Sequence, residues 1–285
     1  GAVRALRATM RRVGHEHPEA LVDTCGTGGG IVATINISTA AAFVAAGASV
    51  RIAKHGNRSY TSRSGSADVL EALGVRIDIV PEHAERVLAE AGLVFLFAQT
   101  YHPAMRHVGP IRKALGVPTI MNLVGPLANP ASVGRQVIGV ADPTRAPAMA
   151  GALARLGSVH ALVVHADIGM DELSPVGLSS VWEVDRGTIR EWRFDPASVS
   201  LETTSLAGIE GGEPAENAHR VMELLERPAK APTVLRSAVL LNAAAAIYVG
   251  GGATSMQEAA QRARDALDSG RARERLEALR RASTS

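Results

Sequence analysis

The chain has 285 residues, of which 46% are hydrophobic and 20% charged, and its 30 basic residues nearly balance its 28 acidic ones. An ordinary hydrophobic fraction with a net charge of +2 excludes intrinsic disorder and gives no reason to expect a nucleic-acid groove. No apolar run approaches the ~20 residues that a membrane-spanning helix needs, and the single cysteine, Cys25, excludes an internal disulfide and suits a reducing compartment.

Short apolar runs alternate with helical segments from the start of the chain. Val3, Leu6, Met10 and Val13 recur at helical spacing, which predicts a surface helix. The predicted strands are 20–24, 50–54, 75–80, 93–98, 136–141 and 160–165. The predicted helices between them are 38–46, 66–73, 81–91 and 103–115. This alternation predicts the α/β class, with a mostly parallel sheet covered by helices.

The pattern changes from about Leu178. Residues 181–184 and 188–194 predict a β-hairpin around Asp185, Arg186 and Gly187. Helices are predicted at 217–226, 234–249, 255–268 and 271–280. The glycines cluster at strand ends, where α/β proteins bind their ligands.

A glycine-rich loop follows the first predicted strand. Gly26, Gly28, Gly29 and Gly30 let backbone N–H groups converge on one anion without obstruction from Cβ atoms. The sequence Asn-Ile-Ser-Thr at 36–39 then opens a helix, whose N-terminus offers unpaired N–H donors and two hydroxyls. A lone glycine turn is more often an ordinary flexible turn, but the adjoining helix start favours a phosphate site.

Two later loops carry further candidate ligands. Residues 54–68, after the second predicted strand, are rich in Lys, Arg, His, Asn, Ser and Thr, and this composition suits phosphate. Asp171 and Glu172 follow the 160–165 strand; adjacent carboxylates in a glycine-containing turn suit Mg²⁺. Taken alone, that acidic pair is equally typical of two solvated loop residues. Cys25 has no evident histidine partner and is interpreted as a small buried side chain.

A fourth stretch combines helix-borne Arg and His with a Gly-Pro turn. Residues 101–113 contain His102 and Arg112, and the turn is at Gly125. Such a surface can hold an aromatic or carboxylate-bearing acceptor, because arginine is a planar fork for carboxylate. Any single arginine on a helix is more often simply solvated.

These motifs, in this order, resemble those of the anthranilate phosphoribosyltransferase family, and the likeness covers essentially the whole chain. The motifs are Asp-Thr-Cys-Gly-Thr-Gly-Gly from Asp23, Asn-Ile-Ser-Thr from Asn36, Lys-His-Gly-Asn-Arg-Ser from Lys54, Ser-Gly-Ser-Ala-Asp-Val-Leu-Glu-Ala-Leu-Gly from Ser64, His-Pro-Ala-Met from His102, Asn-Leu-Val-Gly-Pro-Leu-Ala-Asn-Pro from Asn122, Gly-Met-Asp-Glu-Leu-Ser from Gly169 and Ala-Val-Leu-Leu-Asn-Ala-Ala-Ala-Ala from Ala238. The resemblance implies transfer of phosphoribose from phosphoribosyl diphosphate (PRPP) to the amine of anthranilate, a step of tryptophan biosynthesis. It also implies Mg²⁺ as cofactor and a cytoplasmic homodimer that binds neither nucleic acid nor membrane.

The resemblance also implies a role for individual residues. Those implied to bind PRPP are Gly26, Gly29, Gly30, Thr34, Asn36, Ile37, Ser38, Thr39, Lys54, His55, Gly56, Asn57, Arg58, Ser59, Tyr60, Thr61, Ser62 and Ser66. Those implied to bind or lie near anthranilate are Gly26, Asn57, Arg112, His55, His102 and Gly125. Ser38, Asp171 and Glu172 would bind Mg²⁺. Lys54, Asp171 and Glu172 would stabilise the transition state, without a covalent nucleophile.

The sequence departs from the family in two ways. Gly30 stands where the family often has Asp, which removes one acid that could help hold a diphosphate-bound metal. The family also has further helices before the position of Gly1. Residues 1–20 are therefore interpreted as the remnant of a small helical domain, completed by about 102–130, and 21–285 as the α/β catalytic domain. We expect the sequence to be incomplete rather than a natural short form.

Two other functions stay open on the sequence. A pyrimidine nucleoside phosphorylase-like enzyme shares the fold and the phosphate loops. A non-catalytic relative could bind nucleic acid through a basic groove, although the near-neutral charge and the acidic pair speak against it.

Overall fold

The computed structural model describes residues 1–59, 63–115 and 119–285, without the side chains of residues 110, 112, 113 and 115. The strands in this part are β1 (Val22–Gly26), β2 (Ile52–Gly56), β3 (Leu93–Phe97), β4 (Arg135–Gly139), β5 (His160–Ala166), β6 (Ser179–Asp185) and β7 (Thr188–Phe194). The helices are α1 (Ala2–Thr9), α2 (Ile37–Gly47), α3 (Ser66–Ala72), α4 (Pro81–Ala91), α5 (Ala98–Tyr101), α6 (Met105–Leu115), α7 (Met121–Val124), α8 (Ala146–Arg155), α9 (Pro214–Glu226), α10 (Thr233–Val249), α11 (Met256–Asp268) and α12 (Arg271–Thr284). The predicted α/β class is confirmed.

The strands form one sheet in the order β3-β2-β1-β4-β5-β6-β7. β1 to β5 are parallel, whereas β6 and β7 are antiparallel to their neighbours, which confirms the predicted hairpin. β2 and β3 lie on one side of β1, and β4 and β5 lie on its other side. The crevice between the carboxyl ends of β1 and β4 is the place where open α/β sheets bind ligands.

Helices pack on both faces of the sheet. Neighbouring residues of one strand belong to different apolar clusters: Val137 joins the larger cluster, and Ile138 joins the smaller one around α8. This division follows from the alternation of side chains along a strand. α10 is buried nearly all round because it packs against α2 and α11 within the larger cluster.

The strand predicted at residues 75–80 is wrong. Val75, Ile77 and Ile79 are buried and alternate with exposed Arg76 and Asp78, so the period of two is real. The segment nevertheless has no neighbouring strand to pair with among the described residues. Two of its backbone groups bond to side chains instead: the N–H of Arg76 donates to the hydroxyl of Ser283 at 3.2 Å, and the carbonyl of Ile79 accepts from the hydroxyl of Tyr101 at 2.8 Å.

A third, separate apolar cluster lies at the start of the chain. Leu6 of α1 packs with Val124 of α7 and with Ala128, and partly buried Met105 and Met121 pack against them. None of these residues belongs to the two clusters that flank the sheet. No described helix is both long and apolar enough to cross a membrane.

Candidate active site

The glycine loop leaves β1 at the edge of the sheet where the parallel strands end. Gly28 and Gly29 have φ of 66° and 84°, a backbone conformation that glycine adopts without strain. The N–H of Thr27 donates to the carbonyl of Gly139 at 2.8 Å, and its hydroxyl accepts from the N–H of Ala141 at 3.1 Å. These bonds hold the loop over the end of β4, next to the β1–β4 crevice.

The two acids of the predicted metal pair reach this loop from the far side of the crevice. Oε1 of Glu172 accepts from the N–H of Ser38, in the first turn of α2, at 3.1 Å. The carboxylate of Asp171 lies against the glycine loop, since a Cβ on Gly30 would be 2.9 Å from Oδ1 and a Cβ on Gly26 would be 3.1 Å from Oδ2. The structure therefore brings together residues that are more than 130 positions apart in the sequence.

Burial sets the protonation of both acids. It raises the pKa of Asp171 above its ordinary value. It raises the pKa of Glu172 still further, because Asp171 adds a second negative charge nearby. Two partly desolvated carboxylates side by side favour a bound cation, which would relieve both the burial and the repulsion.

These residues fit Mg²⁺. Asp171, Glu172 and the hydroxyl of Ser38 are hard oxygen ligands, and with Cys25 and Gly139 they line one cavity at the crevice. Among the described residues, no cluster of three or more His, Cys, Asp and Glu could hold a metal by itself. Mg²⁺ needs only one or two protein carboxylates where substrate phosphates supply the remaining oxygens.

Lys54 enters the site from β2. Its Nζ donates to the carbonyl of Thr24 and, at 3.2 Å, to the hydroxyl of Ser38. The side chain is almost fully buried, and burial lowers its pKa, an effect that Asp23, Cys25 and Glu172 oppose. An ammonium group held at the start of α2 adds to the positive end of that helix.

The loop after β2 is held by α3. Arg58 pairs with Asp68 at 2.7 Å and with Glu71 at 2.5 Å, and its guanidinium lies over the ring of Phe97. These two acids hold the pKa of Arg58 above its ordinary value. The hydroxyl of Ser66 donates to the carbonyl of Asn57 at 3.3 Å. The side chains of Arg58 and Ser66 therefore bond the loop to α3 in this structure.

Other predicted PRPP residues line the start of α2 in different ways. Thr34 forms an isolated bridge with Glu210. Ile37 is fully buried, and its N–H donates to the carbonyl of Ile35 at 2.7 Å. The buried hydroxyl of Thr39 has no hydrogen-bond partner among the described residues. Asn36 uses its amide for structure, since Oδ1 accepts from Asn217 at 3.0 Å.

The predicted acceptor side is built around two buried histidines. The rings of His55 and His102 are 5.0 Å apart, and the Gly125 backbone lies beside His55. Burial lowers the pKa of His55 to about 3 and that of His102 to about 4, so both rings are neutral near pH 7. Arg112 lies in α6, and its side chain is outside the described part, as are residues Tyr60, Thr61 and Ser62.

Cys25 differs from the sequence interpretation. It is half-buried and lines the crevice cavity instead of packing fully in the core. The reason is its place one residue before the glycine loop, where β1 emerges from the sheet. Burial raises the pKa of this thiol well above its ordinary value, which favours the protonated form at neutral pH.

Sequence reasoning missed two residues that shape the site. A Cβ on Gly139 would lie 1.6 Å from the carbonyl oxygen of Asp171, so only glycine lets the acidic loop cross β4. Asn217 links Asn36 to the N–H of Gly212 at 2.8 Å and is 1% exposed. The glycine at a strand end was a usable signal, whereas an asparagine inside α9 carries none.

Comparison with known proteins gives consistent matches. The family model described as "Glycosyl transferase family, a/b domain" matches residues 18–273. A relative from Thermomicrobium roseum named anthranilate phosphoribosyltransferase is 49% identical over 283 residues, covering 98% of this chain and 80% of the relative. One from Rubrobacter xylanophilus with the same name is 48% identical, covering 99% and 82%.

Solved structures agree with the sequence matches. The crystal structure of anthranilate phosphoribosyltransferase from Thermus thermophilus has a TM-score of 0.91 and 43% identity, covering 99% of this chain and 83% of its own. The Saccharomyces cerevisiae enzyme in complex with PRPP and Mg has a TM-score of 0.90 and 30% identity, covering 99% and 78%. The same yeast enzyme in complex with 4-fluoroanthranilate has a TM-score of 0.88 and 29% identity, again covering 99% and 78%.

Proposed function

The chain belongs to the anthranilate phosphoribosyltransferase family, and from that premise we propose how its own residues transfer phosphoribose from PRPP to the amine of anthranilate. One observation carries the proposal. The carboxylates of Asp171 and Glu172 meet the glycine loop and the first turn of α2 at a single crevice. Carboxylates beside a glycine loop and a helix start would suit a metal-bound diphosphate, and this supports the proposal.

The reaction requires that the negative charge of the departing diphosphate is neutralised and that the two substrates are held in position. Breaking the C1–O bond leaves an oxocarbenium-like ribose and a departing diphosphate, so no protein nucleophile is needed. The glycine loop would bind the diphosphate through its N–H groups, and the Lys54 ammonium would add positive charge at Ser38, whose own N–H donates to Glu172. Asp171, Glu172 and Ser38 would hold Mg²⁺, which supplies positive charge opposite the diphosphate when it is bound.

The acceptor binds on the side of His55, His102 and Gly125. Arg112 pairs with the carboxylate of anthranilate and Asn57 orients it, with Gly26 shared between the two substrates. The neutral histidines give an uncharged wall for the aromatic ring, because burial keeps the pKa of both well below 7. A strong base is unnecessary, since an aniline nitrogen can lose its proton after attack.

A fluorescence assay tests this function. The purified chain is mixed with anthranilate, PRPP and Mg²⁺, and the loss of anthranilate fluorescence is followed against a reaction without PRPP. PRPP-dependent loss is expected. Phosphorolysis of thymidine with no consumption of anthranilate would contradict the proposal and favour the nucleoside phosphorylase alternative. The relatives reported above favour neither that alternative nor the nucleic-acid-binding one.

We further propose that residues 1–20 and about 102–130 form a small helical domain beside the catalytic domain at 21–285. The separate apolar cluster of α1 and α7 supports this division.

We also propose that the protein is a homodimer and that it is cytoplasmic, in keeping with the single cysteine. Light scattering after size exclusion is expected to give twice the chain mass of 29.7 kDa, and a monomer at micromolar concentration would contradict the dimer. Cell fractionation tests the compartment.

A further inference from the structure

Strands β1 and β2 stop pairing through their backbones before they reach the site. Val22 lies opposite Ile52, and its N–H donates to the carbonyl of Arg51 at 2.9 Å. This is the one paired position between the two strands in the described part of the chain. On their other sides, β1 pairs with β4 and β2 pairs with β3 along all five residues. The two central strands therefore separate at their carboxyl ends.

The backbone groups beyond this point would ordinarily pair with each other. A parallel ladder continued by two residues joins the N–H of Thr24 to the carbonyl of Ala53, and the N–H of His55 to the carbonyl of Thr24. Side chains take up three of these four groups instead. Side-chain hydrogen bonds thus stabilise the separation at three of these four groups, so the strand ends are not a frayed edge.

Asp23 and Asn129 satisfy two of the three groups. The N–H of His55 donates to Oδ1 of Asp23 at 3.0 Å. Nδ2 of Asn129 donates to Oδ2 of Asp23 at 2.9 Å and to the carbonyl of Ala53 at 2.8 Å. Both side chains are buried, so losing one partner leaves polar groups that water cannot reach. We call this pair the Asp23–Asn129 bridge.

Lys54 satisfies the third group and uses the gap. Its Nζ donates to the carbonyl of Thr24, to the Thr24 hydroxyl at 3.4 Å and to the hydroxyl of Ser38 at 3.2 Å. A ladder closed at Thr24 would occupy the carbonyl that now accepts from Lys54. The gap between β1 and β2 is therefore the route by which this buried side chain reaches the start of α2.

We infer that Asp23 and Asn129 are positioning residues for phosphoribosyl transfer: by holding β1 and β2 apart, they aim Lys54 and the loop after His55 at the diphosphate of PRPP. The inference rests on the proposed function. The remaining polar atom of the Asn129 amide is also bonded, since Oδ1 accepts from the N–H of Ala131 at 2.8 Å, and this fixes the orientation of the amide.

An exchange of the two side chains tests the bridge. Asp23→Asn sets its amide NH₂ against a donor in either orientation, the amide of Asn129 or the N–H of His55, and Asn129→Asp sets two carboxylates together. The double variant restores the match of donor to acceptor with the roles exchanged and leaves the carbonyl of Ala53 without its donor. Each protein is titrated with inorganic diphosphate and Mg²⁺ by calorimetry, and its KM for PRPP is measured. Each single change is expected to weaken both by about tenfold or more, and the double variant to recover most of that loss.

Glu183→Gln is the matched control. Glu183 is another buried acid with several donors, on β6 away from the crevice, and its change is expected to lower Tm without altering diphosphate affinity. The inference is overturned if the bridge variants behave like this control, with a lower Tm and unchanged diphosphate affinity and KM. Asn129→Ala replaces any single variant that does not fold.

Turnover by the wild type tests the proposed function separately. A wild type that binds diphosphate but has no turnover refutes the function, and the role of the bridge is then still tested by diphosphate binding.

Discussion

Glycine at position 139 lets the loop that carries Asp171 cross the end of β4. The carbonyl of Asp171 lies where the Cβ of any other residue would stand. The proposed metal ligands are therefore positioned by a backbone contact, and their geometry depends on the absence of one methyl group at position 139. Gly30 also faces the carboxylate of Asp171, since a Cβ there would lie 2.9 Å from Oδ1.

Gly139→Ala is expected to displace the acidic loop and reduce kcat/KM about 100-fold, because a shift of ~1 Å in a catalytic group can cost that much. Steady-state kinetics with PRPP and anthranilate measures it. Gly14→Ala is the control, since a Cβ there meets nothing within 4 Å. Equal activity of the two variants would refute the role of Gly139.

Arg112→Ala tests the acceptor side. Loss of the guanidinium fork is expected to raise the KM for anthranilate about tenfold or more, because a charge-assisted bond is removed. The KM for PRPP is expected to change much less. Equal increases in the two KM values would show that Arg112 does not bind the acceptor.

At the scale of elements, one carboxylate adds side-chain bonds between the β6–β7 hairpin and its neighbours, beside the backbone ladder of β5 and β6. Glu183 accepts from His160 at 2.9 Å, Tyr248 at 2.9 Å, Arg190 at 2.7 Å and Trp192 at 3.0 Å. These donors lie on β5, β7 and α10. They hold the pKa of Glu183 at about 2, with the hydrogen bond from His160 as the largest cause.

This pKa gives a stability prediction with a definite sign. Because the folded pKa is below the ordinary value of 4.5, the ionised group stabilises the fold above about pH 4.5, and this contribution is lost as the pH falls towards 2. Glu183→Gln is expected to lower the free energy of unfolding by about 1–3 kcal/mol at pH 7. The difference from wild type, measured by urea unfolding, should shrink from pH 5 to pH 2. A difference that stays constant over that range would contradict the assignment.

The helices and strands could be predicted from the sequence where the spacing of their apolar residues matches the side that is buried. The strands predicted at 20–24 and 50–54 exist, but they run to Gly26 and Gly56. Glycine has a low strand propensity, so the sequence did not indicate these ends; the neighbouring strands β4 and β3 pair with them all the same. Residues 75–80 have the period of a strand and lack a partner. Strand pairing depends on a neighbouring strand, so the sequence of one segment alone does not predict it.

At the scale of the whole molecule, the site is made by topology. The order of strands places the ends of β1 and β4 together and brings the loop after β5 across them. The sequence motifs indicated candidate residues for phosphate and metal binding. They could not predict the contacts between distant segments, such as Glu172 with Ser38, or the Asp23–Asn129 bridge, since those depend on the three-dimensional arrangement of the chain.

The central claim is that Asp171 and Glu172 serve metal-dependent transfer at this crevice, and the double variant Asp171→Asn/Glu172→Gln tests it most directly. Anthranilate consumption is followed by fluorescence at increasing Mg²⁺, with far-ultraviolet circular dichroism as the check on folding. The account predicts a folded variant whose turnover is abolished at every Mg²⁺ concentration, beside a wild type whose turnover rises with Mg²⁺. A folded variant with the wild-type Mg²⁺ dependence would contradict it.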